Sequence, residues 1–206
     1  MQSVERRLDG GPLTVAQLQT RALSVLARVR ARSWALVHPN VEAGEGAWVG
    51  RGCRLILDPG ARLVLGPGCG LDDGTTVAVY DQGVLRFGAG SFVGHHSTLA
   101  ARERIEIGDG AFLAELVSVR DHDHEVGRPP ASGAVTISPV VIGREAWIGC
   151  KVTVLRGAVI GDGTVVAANA VVRGTLPPGV VAGGIPARVL RHVAGSVEEN
   201  VEGAPE

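Results

Sequence analysis

The chain has 206 residues, 45% of them hydrophobic, enough for one domain with a real core and a short appendage at each end. Twenty Lys and Arg against twenty-one Asp and Glu give a formal charge of -1, so no basic excess exists to hold a phosphate backbone, and a nucleic-acid partner is not expected. Cys53, Cys69 and Cys150 are odd in number, widely spaced and without a CxxC pair, which excludes a disulfide framework and a zinc ribbon from the expectation.

The first predicted element is an amphipathic helix from Thr14 to about Leu36. Val15, Leu18, Ala22, Val25, Leu26 and Val29 recur at steps of three and four, Thr14 offers an N-cap, and Pro39 and Asn40 end the pattern. Arg21, Arg28, Arg30 and Arg32 could meet an anionic membrane surface, but a solvated face on a helix packed against the main domain is the preferred reading. Neither a signal-peptide core nor an uninterrupted membrane span is visible, so a cytoplasmic protein is expected.

Repetition follows. Ile142, Ile148, Val154, Ile160, Val166 and Val172 return at every sixth position, and Ile142, Ile148 and Ile160 are each followed by Gly. Phe87, Val93 and Leu99 keep that spacing, as do Ile107, Leu113 and Val119, after a less regular start at Val49 and Leu65. The period breaks near Arg102 to Arg104 and between Asp121 and Pro139. Six matches neither an α-helix nor a simple alternating strand, so the chain must turn after each short strand. Three such strands close a triangular coil, and coils stack at roughly 4.8 Å with their strands parallel. The aliphatic residue points inward, Gly, Asp and Asn turn the corners, and a narrow prism leaves little room for rings, consistent with the 3% aromatic content.

The residues Ile142-Gly143-Arg144-Glu145-Ala146-Trp147-Ile148-Gly149, Gly157-Ala158-Val159-Ile160-Gly161-Asp162-Gly163 and the exit Gly183-Gly184-Ile185-Pro186-Ala187-Arg188 resemble the hexapeptide-repeat acyltransferases. The likeness is greatest to the branch of maltose, galactoside and polysaccharide O-acetyltransferases. It covers about Phe87 to Arg191 well and the segment from Val41 loosely. It implies a left-handed parallel β-helix, mainly β, a homotrimer with sites between adjacent prisms, and acetyl-CoA as co-substrate without a metal. The expected organisation is a helical segment over 1–40, the β-helix over 41–192 and a disordered tail over 193–206.

The chemistry is expected where the repeat is interrupted, at Asp121-His122-Asp123-His124. Transfer from a thioester to an alcohol needs a base near neutral pKa, and histidine suits that task. The resemblance puts the catalytic His at the start of this loop, and counting from the preceding strand selects His124, with His122 second. Asp123 or Asp121 would orient the imidazole. The resemblance further assigns Trp147, Cys150, Ala168 and Arg173 to the acetyl-CoA groove, Arg188 and Arg191 to the nucleotide phosphates, and His95 or His96 to the acceptor. Related enzymes commonly carry Thr-Lys where this chain has Arg173-Gly174, so any role of that lysine passes to Arg173 or is lost.

Other readings compete with O-acetyl transfer. Amino-sugar N-acetyltransferases share the repeat, and a β-helix can also serve as a scaffold without catalysis. The gamma-class carbonic anhydrases use the same fold with three zinc-binding histidines, but their later His pair lies five positions apart, whereas His122 and His124 are two apart. An acyl-Cys150 route lacks a visible activating base.

Overall fold

A computed structural model describes residues 15–193, with side chains from residue 24 onward. The expected Thr14 cap, the side chains of the first helical turns and the expected tail beyond Val193 lie outside the described residues. A helix spans Val15–Val37 and short strands follow from Val41–Ala43 to Ala187–His192. Apart from the separate pair His122–His124 and Val135–Ile137, they form three sheets that are the faces of one prism. The first face has seven strands, from Val41–Ala43 to Thr175–Leu176. The second has eight, from Trp48–Val49 to the closing strand Ala187–His192, and the third has six, from Arg54–Leu57 to Val171–Val172. Within these faces pairing is parallel except at the end of the second, where Val180–Gly184 and Ala187–His192 form an antiparallel hairpin. The exit motif read from the sequence is the turn of that hairpin.

The core is a stack of aliphatic side chains. Ile142, Ile148, Val154, Ile160, Val166 and Val172 are all buried, as are Val93, Leu99, Ile107, Leu113 and Val119. Each fully buried Val, Leu or Ile contributes about 1.5–3 kcal/mol relative to an exposed one, so the repeat is also the main source of stability. The period of six holds only where coils are short. There Val141 pairs with Val159 and Thr153 with Val171, an advance of 18 residues per coil. Upstream, Val41 pairs with Leu63 and Leu63 with Leu85, an advance of 22, because the early third-face strands and the corners after them are longer. That longer perimeter admits a ring: Phe87 is buried in the core, contrary to the expectation that rings stay outside.

Glycine and aspartate have separate tasks at the corners. At Gly161 the demand is space, since a Cβ there would collide with the backbone nitrogen of Pro178 in the next coil. Left-handed backbone falls elsewhere, and four residues that turn successive corners between the second and third faces, His96, Leu116, Lys151 and Asn169, adopt it without being glycine. Asp81 also adopts it, but most corner aspartates tie coils together instead. Asp73, Asp109 and Asp162 accept the backbone N–H of Arg51, Ala89 and Arg144 one coil earlier at 2.7, 2.7 and 2.8 Å. The Arg144 side chain, and its N–H, hold the Asp162 carboxyl below the usual carboxylate range.

The helix caps the first coil. Ala27 and Ala31 are buried against it, Ala31 within the main core, and Arg30 Nε donates to the carbonyl of Val49 at 2.8 Å. A solenoid end exposes its core unless something covers it, and here small side chains let the helix approach closely.

Candidate active site

The break in the repeat after Arg120 is an excursion from the corner between the third and first faces. His122–His124 pairs antiparallel with Val135–Ile137, and the carbonyl of Asp121 accepts the N–H of Ser138 at 2.8 Å, closing the neck of the loop. Beyond the neck the chain bears a 3-10 turn at Pro130–Ser132.

Asp121 is fully buried, and its carboxylate is the anchor of this corner. It accepts the backbone N–H groups of Arg102, Glu103 and Arg104 at 2.8–3.0 Å, on the corner one coil earlier. Arg102 to Arg104 is the other interruption of the repeat, so the two irregularities are one structure. A further contact of the carboxylate is His122, whose Nδ1 lies 2.9 Å from Asp121 Oδ1. A carboxylate only accepts, so Nδ1 donates, and in the neutral imidazole Nε2 is the nitrogen with the free lone pair. The His122 side chain is 12% exposed and meets the edge of Tyr80, with ring centroids 6.2 Å apart. Arg102 supports Tyr80 in turn, 5.1 Å from its ring centroid, and its Nη1 reaches Asp81 Oδ2 at 2.6 Å.

The other members of the predicted cluster are arranged differently. Asp123 faces Arg156 Nε at 3.2 Å, an ion pair that ties the hairpin to the following coil. His124 is exposed, and among the described residues it has no carboxylate partner. The structure thus joins Asp121 to His122 and sets Asp123 and His124 apart from them. In the sequence Asp121 stood only as an alternative to Asp123. Tyr80 and Arg156 had no sequence signal and Arg102 showed only as a break in the period, because each comes from a different coil.

The residues assigned to the cofactor divide between the second face with its corner to the third, and the far corner of the third face. Trp147, Cys150 and Ala168 meet in a groove of about 350 Å³ with Glu115, Gly149 and Ala167, at the corner between the second and third faces. His95 stands in the same corner column, since Leu116 N–H donates to its carbonyl and Lys151 N–H donates to the carbonyl of Glu115 above. Its Nδ1 is 3.7 Å from Asp72 Oδ2. His96 folds over Gly74, where a Cβ would collide with the imidazole. Trp147 is 54% exposed, outside the prism as expected, in a column with Phe92 and Phe112 on the second face. Arg188 and Arg191 lie on the closing strand of that face, where Arg191 pairs with Val181 beside Val165 and Trp147. Arg173 is at the opposite corner, after Val171–Val172, and is not joined to Cys150 or Ala168. A strand of the third face also separates His122 from the groove. No group of three or more His, Cys, Asp or Glu suited to a metal ion occurs among the described residues.

The sequence matches the bacterial transferase hexapeptide family, six repeats, over residues 139–174, the part of the chain with the shortest coils. It is 34% identical over 161 residues to a probable acetyltransferase of Mycobacterium tuberculosis, Rv3034c, covering 76% of this chain and 53% of that protein. The galactoside O-acetyltransferase of Escherichia coli is 31% identical over 110 residues, covering 53% of this chain and 54% of its own. The chain belongs to the hexapeptide-repeat acyltransferase family. It spans about half the length of these two curated relatives. The hexapeptide fold is seen again in the N-acyltransferase AntD of Bacillus cereus, crystallised with dTDP and 3-hydroxybutyryl-CoA. That structure has a TM-score of 0.68 at 19% identity, covering 78% of this chain and 88% of AntD.

Proposed function

We propose that the protein is an acetyl-CoA-dependent O-acetyltransferase acting on a hydroxyl of a sugar or a similar small acceptor. The observation that carries this reading is the His122–Asp121 pair, an imidazole fixed by a buried carboxylate where a loop leaves the prism. His122 Nε2 takes the hydroxyl proton as the alcohol oxygen bonds to the thioester carbonyl carbon. As the C–S bond breaks, the same nitrogen returns the proton to the sulfur, leaving an acetyl ester and free CoA. Asp121 stabilises the imidazolium formed between these steps without itself taking the proton. The relative named as an O-acetyltransferase supports a hydroxyl acceptor over an amine.

The groove beside Trp147, Cys150 and Ala168 suits the narrow arm of acetyl-CoA, and Arg188 and Arg191 beyond it suit its phosphates, since a guanidinium donates paired hydrogen bonds to phosphate oxygens. The third-face strands and corners between this groove and His122 span on the order of 15–20 Å at about 3.3 Å per residue. One chain therefore cannot bring its own histidine to a thioester lying in its own groove. This separation supports a site shared between copies, as in a homotrimer.

Acetyl-CoA mixed with sugars, amino sugars and serine tests the reaction by release of the CoA thiol. Release dependent on a sugar hydroxyl supports O-acetylation. Release with amino acceptors alone replaces it by N-acetylation, and binding of acetyl-CoA without release on any acceptor favours a scaffold.

Thiol labelling, followed residue by residue by mass spectrometry, tests the groove separately. Cys69 is buried and its thiol is pushed up to about 12 by burial, so at neutral pH iodoacetamide leaves it untouched in the folded protein, while half-buried Cys150 reacts. Saturating acetyl-CoA is expected to slow Cys150 labelling at least about fivefold, since a bound ligand shields the thiolate from the reagent. An unchanged rate under conditions where acetyl-CoA binds would remove Cys150 from the binding path.

A further inference from the structure

The helix Val15–Val37 docks on the prism by its small side and leaves its larger apolar side open. Ala27 and Ala31 are buried, with Trp34 and Ala35 packed beside them. Val25, Leu26, Val29, Leu36 and Val37 remain between 52% and 86% exposed. At about 100° per residue these five fall on one continuous arc of the helix. Ser33 interrupts it, and the Ser33 hydroxyl is already satisfied by the Arg30 carbonyl at 2.8 Å. A contiguous open apolar face of this kind marks an interaction surface.

Charge decides what covers it. The helix contains Arg21, Arg28, Arg30 and Arg32 and no Asp or Glu, in a chain whose overall formal charge is -1. Exposed Arg28 and Arg32 follow one edge of the apolar arc, while part-buried Arg30, at the other, is turned to the prism by its bond to the Val49 carbonyl. A second copy of this face would set arginine against arginine, with no carboxylate on either helix to pair with it. An anionic lipid surface supplies negative charge along the Arg28 and Arg32 edge and an apolar interior for the arc beside it. No helix among the described residues is long and apolar enough to cross a membrane, so this one would lie in the plane of the interface.

We propose that the N-terminal helix seats the protein on an anionic bilayer surface through Val25, Leu26, Val29, Leu36 and Val37, flanked by Arg28 and Arg32. This surface belongs to the helix alone and does not depend on acetyl transfer.

The test is co-sedimentation of the full chain with vesicles of phosphatidylcholine alone and of phosphatidylcholine containing phosphatidylglycerol, at low and high salt. Binding to the anionic vesicles is expected, with salt weakening it. The double substitution Leu26→Glu with Val29→Glu, at exposed positions, should lower partitioning at least about tenfold with an unchanged circular dichroism spectrum. Arg28→Gln with Arg32→Gln should lower it about fivefold per arginine. Equal retention on neutral and anionic vesicles, or full binding by the Leu26→Glu, Val29→Glu protein, overturns the proposal. Loss of oligomer mass in that variant, with no vesicle binding by the parent chain, overturns it too and gives the face to a second copy.

Discussion

His122→Ala is expected to lower acceptor-dependent CoA release by about 10²- to 10⁴-fold while leaving acetyl-CoA binding and thermal stability close to those of the parent protein. The magnitude is that of a positioned general base. The 2.9 Å contact of His122 Nδ1 with a buried carboxylate fixes both the ring and its tautomer. His124→Ala is the comparison that matters. His124 is exposed on the same short strand and lacks such a partner among the described residues, so its loss should change turnover by no more than about threefold if positioning decides the base. The reverse outcome, with turnover lost in His124→Ala and kept in His122→Ala, would return the base to the position selected by counting along the sequence.

Asp121→Ala is expected to be the most destabilising single change at the site. It removes the acceptor for three backbone N–H groups and one imidazole within a fully buried corner. Unsatisfied buried donors cost about 1–3 kcal/mol each, and partial relaxation brings the total to about 3–5 kcal/mol, read as a fall of roughly 10 °C in melting temperature. Asp121→Asn separates structure from catalysis. Its amide oxygen keeps one acceptor but cannot stabilise an imidazolium, so kcat should fall at least about tenfold at temperatures where the variant is folded, with little change in KM for acetyl-CoA. Equal kcat in the Asn variant and the parent protein would leave Asp121 a corner brace only. An Ala variant with parental melting temperature and full activity would remove both roles.

Much of the fold was legible because its physics is local. An aliphatic residue every sixth position, with Gly beside it, can be satisfied only by short strands that turn and stack, and Ile142 through Val172 follow that rule into the core. The paucity of aromatics, the outward Trp147 and the helix before residue 40 could be read the same way. Coil length could not. Three early coils advance by 20 to 22 residues, and because extra residues at a corner leave inward positions unchanged, the pattern there looks merely irregular. That added perimeter is what admits Phe87 to the core.

The candidate site divides along the same line. The sequence by itself determined where the candidate chemistry gathers, at Asp121 to His124, since that is where the repeat stops and titratable groups cluster. Only the tertiary structure decided which histidine is held and by which acid. Stacking brings the corner at Arg102 to Arg104 against Asp121, and the carboxylate that those N–H groups bury then reaches His122. Asp123, next along the strand, is drawn instead to Arg156 from the next coil. Asp121 and His122 are chain neighbours, but the N–H contacts that fix Asp121 and the Asp123–Arg156 pair join residues some 17 to 33 positions apart, across coils, and no spacing within Asp121-His122-Asp123-His124 encodes them. The open face of the helix has the same origin: its periodicity promised one buried apolar stripe, and packing against the first coil chose the alanines instead, because only small side chains allow the backbone to approach that closely.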